Sequence, residues 1–393
     1  MGKITNNQEH RERLFLLDGY ALAYRAYYSF ISRPLITSKG EHTSAIFGFV
    51  NALMKILDEE KPDHIAVVFD RPEPTFRHKM FEPYKATRQK MPEDMVSQLG
   101  RLREVVEAFN VPILEMAGYE ADDIMGTLAY KAEKENLETY LVTSDKDFMQ
   151  LISPLTKIYK PGKSGDEWEI VDFEHVEEKF GVTPDKVIDV LGLTGDKSDN
   201  VPGVPGIGEV TAIPLVREFG SMENIYTNIH KISKESVKTK LLNNKEQAML
   251  SKHLVTIKTD VPIDVDIHQL KAQQKDIVKL THLFTELEFK YLIRKLTSTE
   301  EKFSQINISE EEISKFISDI TTDQHQYHLI TTEKELKDFI KKLKASNFFV
   351  FDTETTSKDP MKAELVGLSF SLKSKEAYYI PVYTDTGDKI ESV

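Results

Sequence analysis

Asp196 and Asp199 stand directly before a run of glycine and proline in LTGDKSDNVPGVPGIG, residues 193–208. Carboxylates so placed suit a hard cation, and a Gly/Pro run lets bare main chain approach a ligand. Seven further acids occupy positions of the same quality. Asp18 ends the apolar run RLFLLD, Asp70 ends HIAVVFD, and Asp145 and Asp147 follow TYLV. Glu120, Asp122 and Asp123 fall in the first turn of a helix pattern set by Ile124, Leu128 and Ala132. The helix dipole favours acids at a helix start, but three within four positions exceed what capping requires. Nine carboxylates in one pocket repel, and without counter-charge several must take up protons. Divalent cations relieve that repulsion. Oxygen-only ligands select Mg²⁺ or Mn²⁺ over Zn²⁺. Two such ions about 4 Å apart would stabilise both the attacking and the leaving oxygen of a phosphodiester.

The elements that must position these acids are legible as alternating patterns. Short apolar runs separated by helix-length segments predict a parallel α/β sheet over residues 1–184, with sites at the carboxyl ends of its strands. Residues 185–296 read as mostly helical, closing with an amphipathic helix over THLFTELEFKYLIRKL, 281–296. Residues 297–325 are polar and acidic and read as a linker. A new α/β pattern occupies 326–393: a strand, a helix with Thr332 and Glu335 as a capping box, then strands over NFFVFDTETTS, ELVGLSFSL and AYYIPVY as a meander. The pattern ends without a completed fold.

Composition sets the outer bounds. Of 393 residues, 40% are hydrophobic, enough for real cores. The longest apolar runs are too short to span a bilayer, and the polar start MGKITNNQEHRER lacks a signal core. The chain has no Cys, which excludes thiolate metal sites and suits a reducing cytoplasm. A net charge of −13 argues against a nucleic-acid partner on its face. The charge is segregated, however. Residues 76–90 carry five Lys or Arg against one Glu, and residues 231–258 carry seven Lys against two Glu.

The stretch VPGVPGIG resembles the hairpin of a helix–hairpin–helix element. Gly203, Gly206 and Gly208 would bring main chain to a DNA phosphate, and N–H groups at the following helix start would hold it. Six motifs in order, LLDGYALAYRAYYSF, VVFD, FRHKMFEPYKATR, AGYEADDIMGTLA, VTSDKDFMQL and LTGDKSDNVPGVPGIG, resemble the 5′-nuclease domain of bacterial DNA polymerases I, which is related to the flap endonucleases. The resemblance runs from about Leu14 to Leu296. FFVFDTETTS resembles the first motif of the 3′–5′ exonuclease domain that follows in those polymerases.

The resemblance implies a PIN-like α/β core with an arch over about 71–100, a helix–hairpin–helix subdomain and an incomplete RNase H-like domain. It implies that all nine acids hold two Mg²⁺ or Mn²⁺ ions. It places Arg77, Lys85 and Arg88 at the 5′ phosphate region, with Lys85 and Arg88 facing the scissile phosphate beside Asp70 and Asp145. Tyr84 would stack on a displaced base and Arg25 would contact a phosphate. A monovalent cation on the hairpin carbonyls is a further implication. So are a DNA substrate of flap, nicked or branched form, a monomeric state and a nucleoid location in the cytoplasm. Asp352 and Glu354 would form half of a second metal site, insufficient for proofreading, and no polymerase domain lies in these residues. Pro214 departs from the pattern, since it falls where the second hairpin helix should run.

Two other readings remain open on the residues alone. A Mg²⁺-dependent phosphatase would explain Asp18 and Asp70, though not the hairpin, the basic segment or Asp196 and Asp199. A non-catalytic binder of DNA structure would have lost some of the acids, and none is missing.

Overall fold

The run RLFLLD becomes β1 (Arg13–Asp18), in which Leu14 to Leu17 are all essentially inaccessible. A strand apolar on both sides must be covered on both faces. It sits centrally in a six-stranded sheet with β2 (His64–Val68), β3 (Ile113–Leu114), β4 (Glu138–Val142), β5 (Thr156–Pro161) and β6 (Trp168–Val171), ordered β3-β2-β1-β4-β5-β6. All pairs are parallel except β5 with β6. Leu14 and Leu16 join Ile124 and Leu128 of the helix Ala121–Lys134 in one core. Phe15 and Leu17 alternate to the other face, where Phe15 stacks on Tyr140. The carboxyl ends of β1, β2 and β4 therefore meet at one edge. This computed structural model describes residues 11–162, 167–297, 326–357, 362–373 and 375–382.

The chain divides into two compact units, Met1–Phe303 and Ser304–Val393. The helical part after residue 184 thus belongs to the same body as the sheet. The return segment shows why. Ala272 N–H donates to the Asp63 carbonyl and Asp276 N–H to that of Ala108, and the rings of Phe109 and Phe284 pack 6.3 Å apart. The predicted closing helix is two helices, Ile277–Glu286 and Lys290–Thr297. Glu288, between them at φ 59°, takes the left-handed conformation that ends a helix. The hairpin lies between the helices Val187–Thr194 and Glu209–Phe219. Pro214 does not break the second of these. It removes the N–H that would bond the Val210 carbonyl, and Val210 is 93% exposed, so water can satisfy that carbonyl.

In the second unit, β7 (Gln326–Leu329), β8 (Val350–Thr355), β9 (Leu365–Lys373) and β10 (Glu376–Pro381) form a sheet ordered β7-β10-β9-β8. The last three strands make the expected antiparallel meander, while β7 joins parallel to β10. The helix Glu333–Ala345 opens on the predicted capping box of Thr332 and Glu335. It buries Phe339 against Tyr378 and Ile380. The expected linker, 297–325, lies outside the described residues apart from its first. No helix among the described residues is long and apolar enough to cross a membrane.

Candidate active site

Each sheet-edge acid is fixed by a local reason for the chain to turn there. Asp18 closes β1 and caps the helix Gly19–Ser29, accepting from Ala21 N–H at 2.9 Å and from the Thr143 hydroxyl at 3.1 Å. Asp70 lies just past β2 and accepts from Ala121 N–H at 2.9 Å, which ties that strand end to the helix carrying Asp122. Asp145 follows β4 and accepts from Asp147 N–H at 2.9 Å. Asp196 opens the hairpin turn, accepting from Ser198 N–H and hydroxyl at 2.8 and 2.6 Å.

Electrostatics join these acids into one group. Burial pushes the Asp18 carboxyl up to about 7, with Asp70 and Asp145 adding to the effect. Burial raises Asp147 to about 8, with Asp145, Asp196 and Asp199 beside it. Asp122 is driven well above the carboxylate range by burial and then by Asp18, Asp145 and Glu120. Asp70 and Asp145 are raised for the same first reason. Asp196 is the exception: burial acts upward, but hydrogen bonds from Ser198 and the Lys146 ammonium at 3.6 Å bring it below its ordinary range. The Asp147 Oδ1 atom is buried and has no hydrogen-bond partner. These oxygen-only groups fit hard divalent cations. Among the described residues, the one set of three potential ligand atoms lying within 4.8 Å of one another is elsewhere.

The remaining three acids are neutralised from within, which the motif reading missed. Arg77 is 2% exposed and donates to Asp123 at 2.7 and 2.8 Å, to Glu120 at 3.1 Å and to the carbonyls of Leu254 and Thr256. Asp123 is fully buried and also accepts from the N–H groups of Glu120 and Lys258. Both carboxyl oxygens are thus committed, so Asp123 braces the site and does not face a cation. Arg77, enclosed in the same network, is not open to a DNA phosphate. Tyr84 is likewise buried, its hydroxyl shared between Glu120 and Asp199 at 3.1 Å each, so its ring is not available to stack on a base. Lys85 lies 2.7 Å from Glu120 and 3.7 Å from Asp199, and Arg88 is paired with Asp199. Burial acts to lower the pKa of Lys85, but Glu120, Asp199 and Asp122 outweigh it and keep the ammonium charged.

The segment 83–85 is docked onto the hairpin turn. Lys85 N–H donates to the Asp199 carbonyl at 2.9 Å, and the Asn200 side chain donates to that of Pro83 at 2.7 Å. Lys85 and Asn200 both hold φ 57°, a left-handed conformation costing about 1–2 kcal/mol in a residue such as Lys. Such strain persists where surrounding bonds fix it, and here it aims a lysine at the acid group.

The hairpin glycines divide by role. Gly203 is buried, its N–H taken by the Ser251 hydroxyl at 3.0 Å, and an added Cβ would lie 2.3 Å from the Gly195 nitrogen. It serves the close crossing of the two arms and does not present main chain to a ligand. Gly206, at φ 76°, and Gly208 are exposed, the latter at the cap of the helix Glu209–Phe219. The carbonyls of Val201, Gly203, Val204, Gly206 and Gly208 all accept protein donors, that of Gly206 from the Lys240 ammonium. Arg25 donates to the neutral Gly162 carbonyl at 3.0 Å, on a groove it shares with Lys55, Lys295 and Trp168. In the second unit, Asp352 and Glu354 sit exposed on one face of β8.

Thr143, Ser198 and Lys146, which hold Asp18 and Asp196, were not singled out in the sequence. Their signal lay inside the motifs, since VTSDKDF and GDKSDN contain them.

The raised carboxyls give a stability test. Asp18 and Asp147 hold protons in the folded chain up to about 7 and about 8, against 3.8 ordinarily. The stability they contribute is present below that ordinary value and is lost as pH rises through the folded ones. Without metal, the contribution of these two carboxyls to the melting temperature should fall between about pH 4 and about pH 8. In Asp147→Asn the fall should be smaller.

The model of the 5′-3′ exonuclease N-terminal resolvase-like domain matches residues 13–181, and that of the 5′-3′ exonuclease C-terminal SAM fold matches 182–278. The chain belongs to the 5′-3′ exonuclease family. The 3′-5′ exonuclease model matches residues 327–393 of this exonuclease-family chain. DNA polymerase I of Bacillus subtilis (strain 168) is 41% identical over 314 residues, 80% of this chain and 35% of that protein. DNA polymerase I of Borreliella burgdorferi is 36% identical over 378 residues, 94% of this chain and 41% of that protein. The chain thus spans well under half the length of these curated relatives. Among solved structures, the bacteriophage T5 D15 protein co-crystallised with metal ions superposes with a TM-score of 0.53 at 17% identity, covering 72% of this chain and 99% of that one. A variant of the T5 D15 flap endonuclease, in a complex with DNA and metal ions, gives 0.52 at 18% identity, covering 73% and 97%. These likenesses establish the fold: a PIN-like 5′-nuclease core with a SAM-like helical part.

Proposed function

We propose that this chain is a divalent-metal-dependent 5′ nuclease that hydrolyses DNA phosphodiesters at 5′ flaps, nicks and branches, in the cytoplasm near the nucleoid. It would act as part of a DNA polymerase I in replication and repair. The observation that carries this is the meeting of Asp18, Asp70, Asp122, Asp145, Asp147 and Asp196 at one sheet edge, faced by Lys85 and Arg88. The T5 relatives crystallised with metal ions and DNA support it.

Those six acids would hold two Mg²⁺ or Mn²⁺ ions. When bound, the ions polarise the scissile phosphate and lower the pKa of the attacking water. Asp123 and Arg77 hold Glu120, and Glu120 in turn positions Lys85. Lys85 and Arg88 would offset charge developing on the phosphate. Gly206, Gly208 and the first N–H groups of the helix Glu209–Phe219 would grip a duplex phosphate without reading sequence. The outlying positive charges of Arg25, Lys55 and Lys295 would extend that grip.

The test compares a 5′-flap duplex, a nicked duplex and a single strand with a small phosphomonoester, with and without divalent metal. Metal-dependent cutting near the flap junction is expected. Hydrolysis of the monoester without flap cutting would establish the phosphatase reading instead. Lys85→Ala should slow single-turnover cleavage about 10²-fold or more while weakening DNA binding far less.

A further inference from the structure

The opposite end of the sheet carries a second cluster of different chemistry. Glu12 immediately precedes β1, His64 opens β2, and His268 lies in the turn Ile267–Leu270 of the return segment. One ligand atom from each lies within 4.8 Å of the other two. β1 spans six residues, so roughly 20 Å of strand separates Glu12 from the catalytic-edge Asp18.

We propose that Glu12, His64 and His268 form a site for one transition-metal ion of the zinc class, independent of the acids at the carboxyl edge. Two imidazoles and a carboxylate, with water in the fourth position, are a ligand set that zinc accepts in tetrahedral geometry. The nitrogen donors distinguish it from the oxygen-only edge, because Mg²⁺ prefers oxygen and does not compete well for imidazole.

The placement of His64 points the same way. Its Nε2 lies 3.0 Å from Glu12 Oε2, so one nitrogen already faces the cluster. Its Nδ1 is buried with no hydrogen-bond partner, and the residue is 3% exposed. A bound ion would take the Nε2 lone pair, and the ring proton would then sit on Nδ1. Glu135 stands 3.3 Å from His268 Nε2, a second carboxylate beside the same ring.

The ion would act as a staple. His64 already pairs across a bridge with Lys271, and Ala272 bonds Asp63. Metal at the cluster would fix the return segment against the first two strands, at the end of the sheet remote from catalysis.

Zinc titration of the whole chain by calorimetry, in excess Mg²⁺ to saturate the oxygen site, tests this. His268→Ala and Glu12→Gln are the variants, because these side chains are 63% and 54% exposed and their replacement should spare the fold. The wild type should bind one zinc per chain, and each variant should bind it at least about tenfold more weakly. Zinc should raise the melting temperature of the wild type and raise that of His268→Ala by less. Zinc binding that is absent in the wild type, or equal in wild type and variants, would overturn the proposal.

Discussion

Asp145→Asn should lower single-turnover cleavage of a 5′-flap duplex by about three orders of magnitude or more at saturating Mg²⁺. Asp145 adds to the charge felt by Asp18, Asp122 and Asp147, so it lies among the acids and not at their margin. Removing its charge weakens the hold on cations whose transition-state stabilisation is worth several kcal/mol, and each 1.36 kcal/mol is a factor of ten. Asn keeps an oxygen able to accept from Asp147 N–H, so the turn after β4 survives. DNA binding, measured by fluorescence anisotropy, should be largely retained, since one negative charge fewer faces the phosphates. Cleavage within tenfold of wild type would remove Asp145 from the site.

Arg77→Ala should destabilise the first unit by about 3–5 kcal/mol, because it strands a fully buried Asp123 without its partner. The carbonyls of Leu254 and Thr256 lose their donor as well. Chemical denaturation would register this as a lower midpoint. The result separates two roles for one residue. An arginine on the DNA path would cost affinity and little stability, whereas a buried brace costs stability first. A stability loss under about 1 kcal/mol would contradict the brace.

The motifs exposed the sheet edge because the strands that form it are short, apolar and each ended by an acid. Asp18, Asp70 and Asp145 could be placed from that pattern alone. What the pattern could not reveal was which acids have internal partners. Asp122 and Asp123 are adjacent in sequence, yet one side chain points to the acid group and the other into a guanidinium. That distinction depends on the helix phase relative to the segment Leu254–Lys258, whose last residue lies 135 positions beyond Asp123. Gly203 and Gly206 pose the same difficulty. Both have positive φ, but one is enclosed by the opposite arm of the hairpin and the other faces solvent. The break at Glu288 was hidden because apolar spacing continues through it, with Leu287 and Phe289 both buried. The histidine at the start of β2 carried no motif and became meaningful only when His268 was seen beside it.

The central claim is that carboxylates from separate segments jointly hold the divalent ions. Anomalous diffraction from crystals grown with Mn²⁺ tests it most directly. Two manganese peaks should appear among Asp18, Asp70, Asp122, Asp145, Asp147 and Asp196, with Asp123 still paired to Arg77. Manganese absent from that sheet edge, or bound only at Asp123 after it has released Arg77, would contradict it.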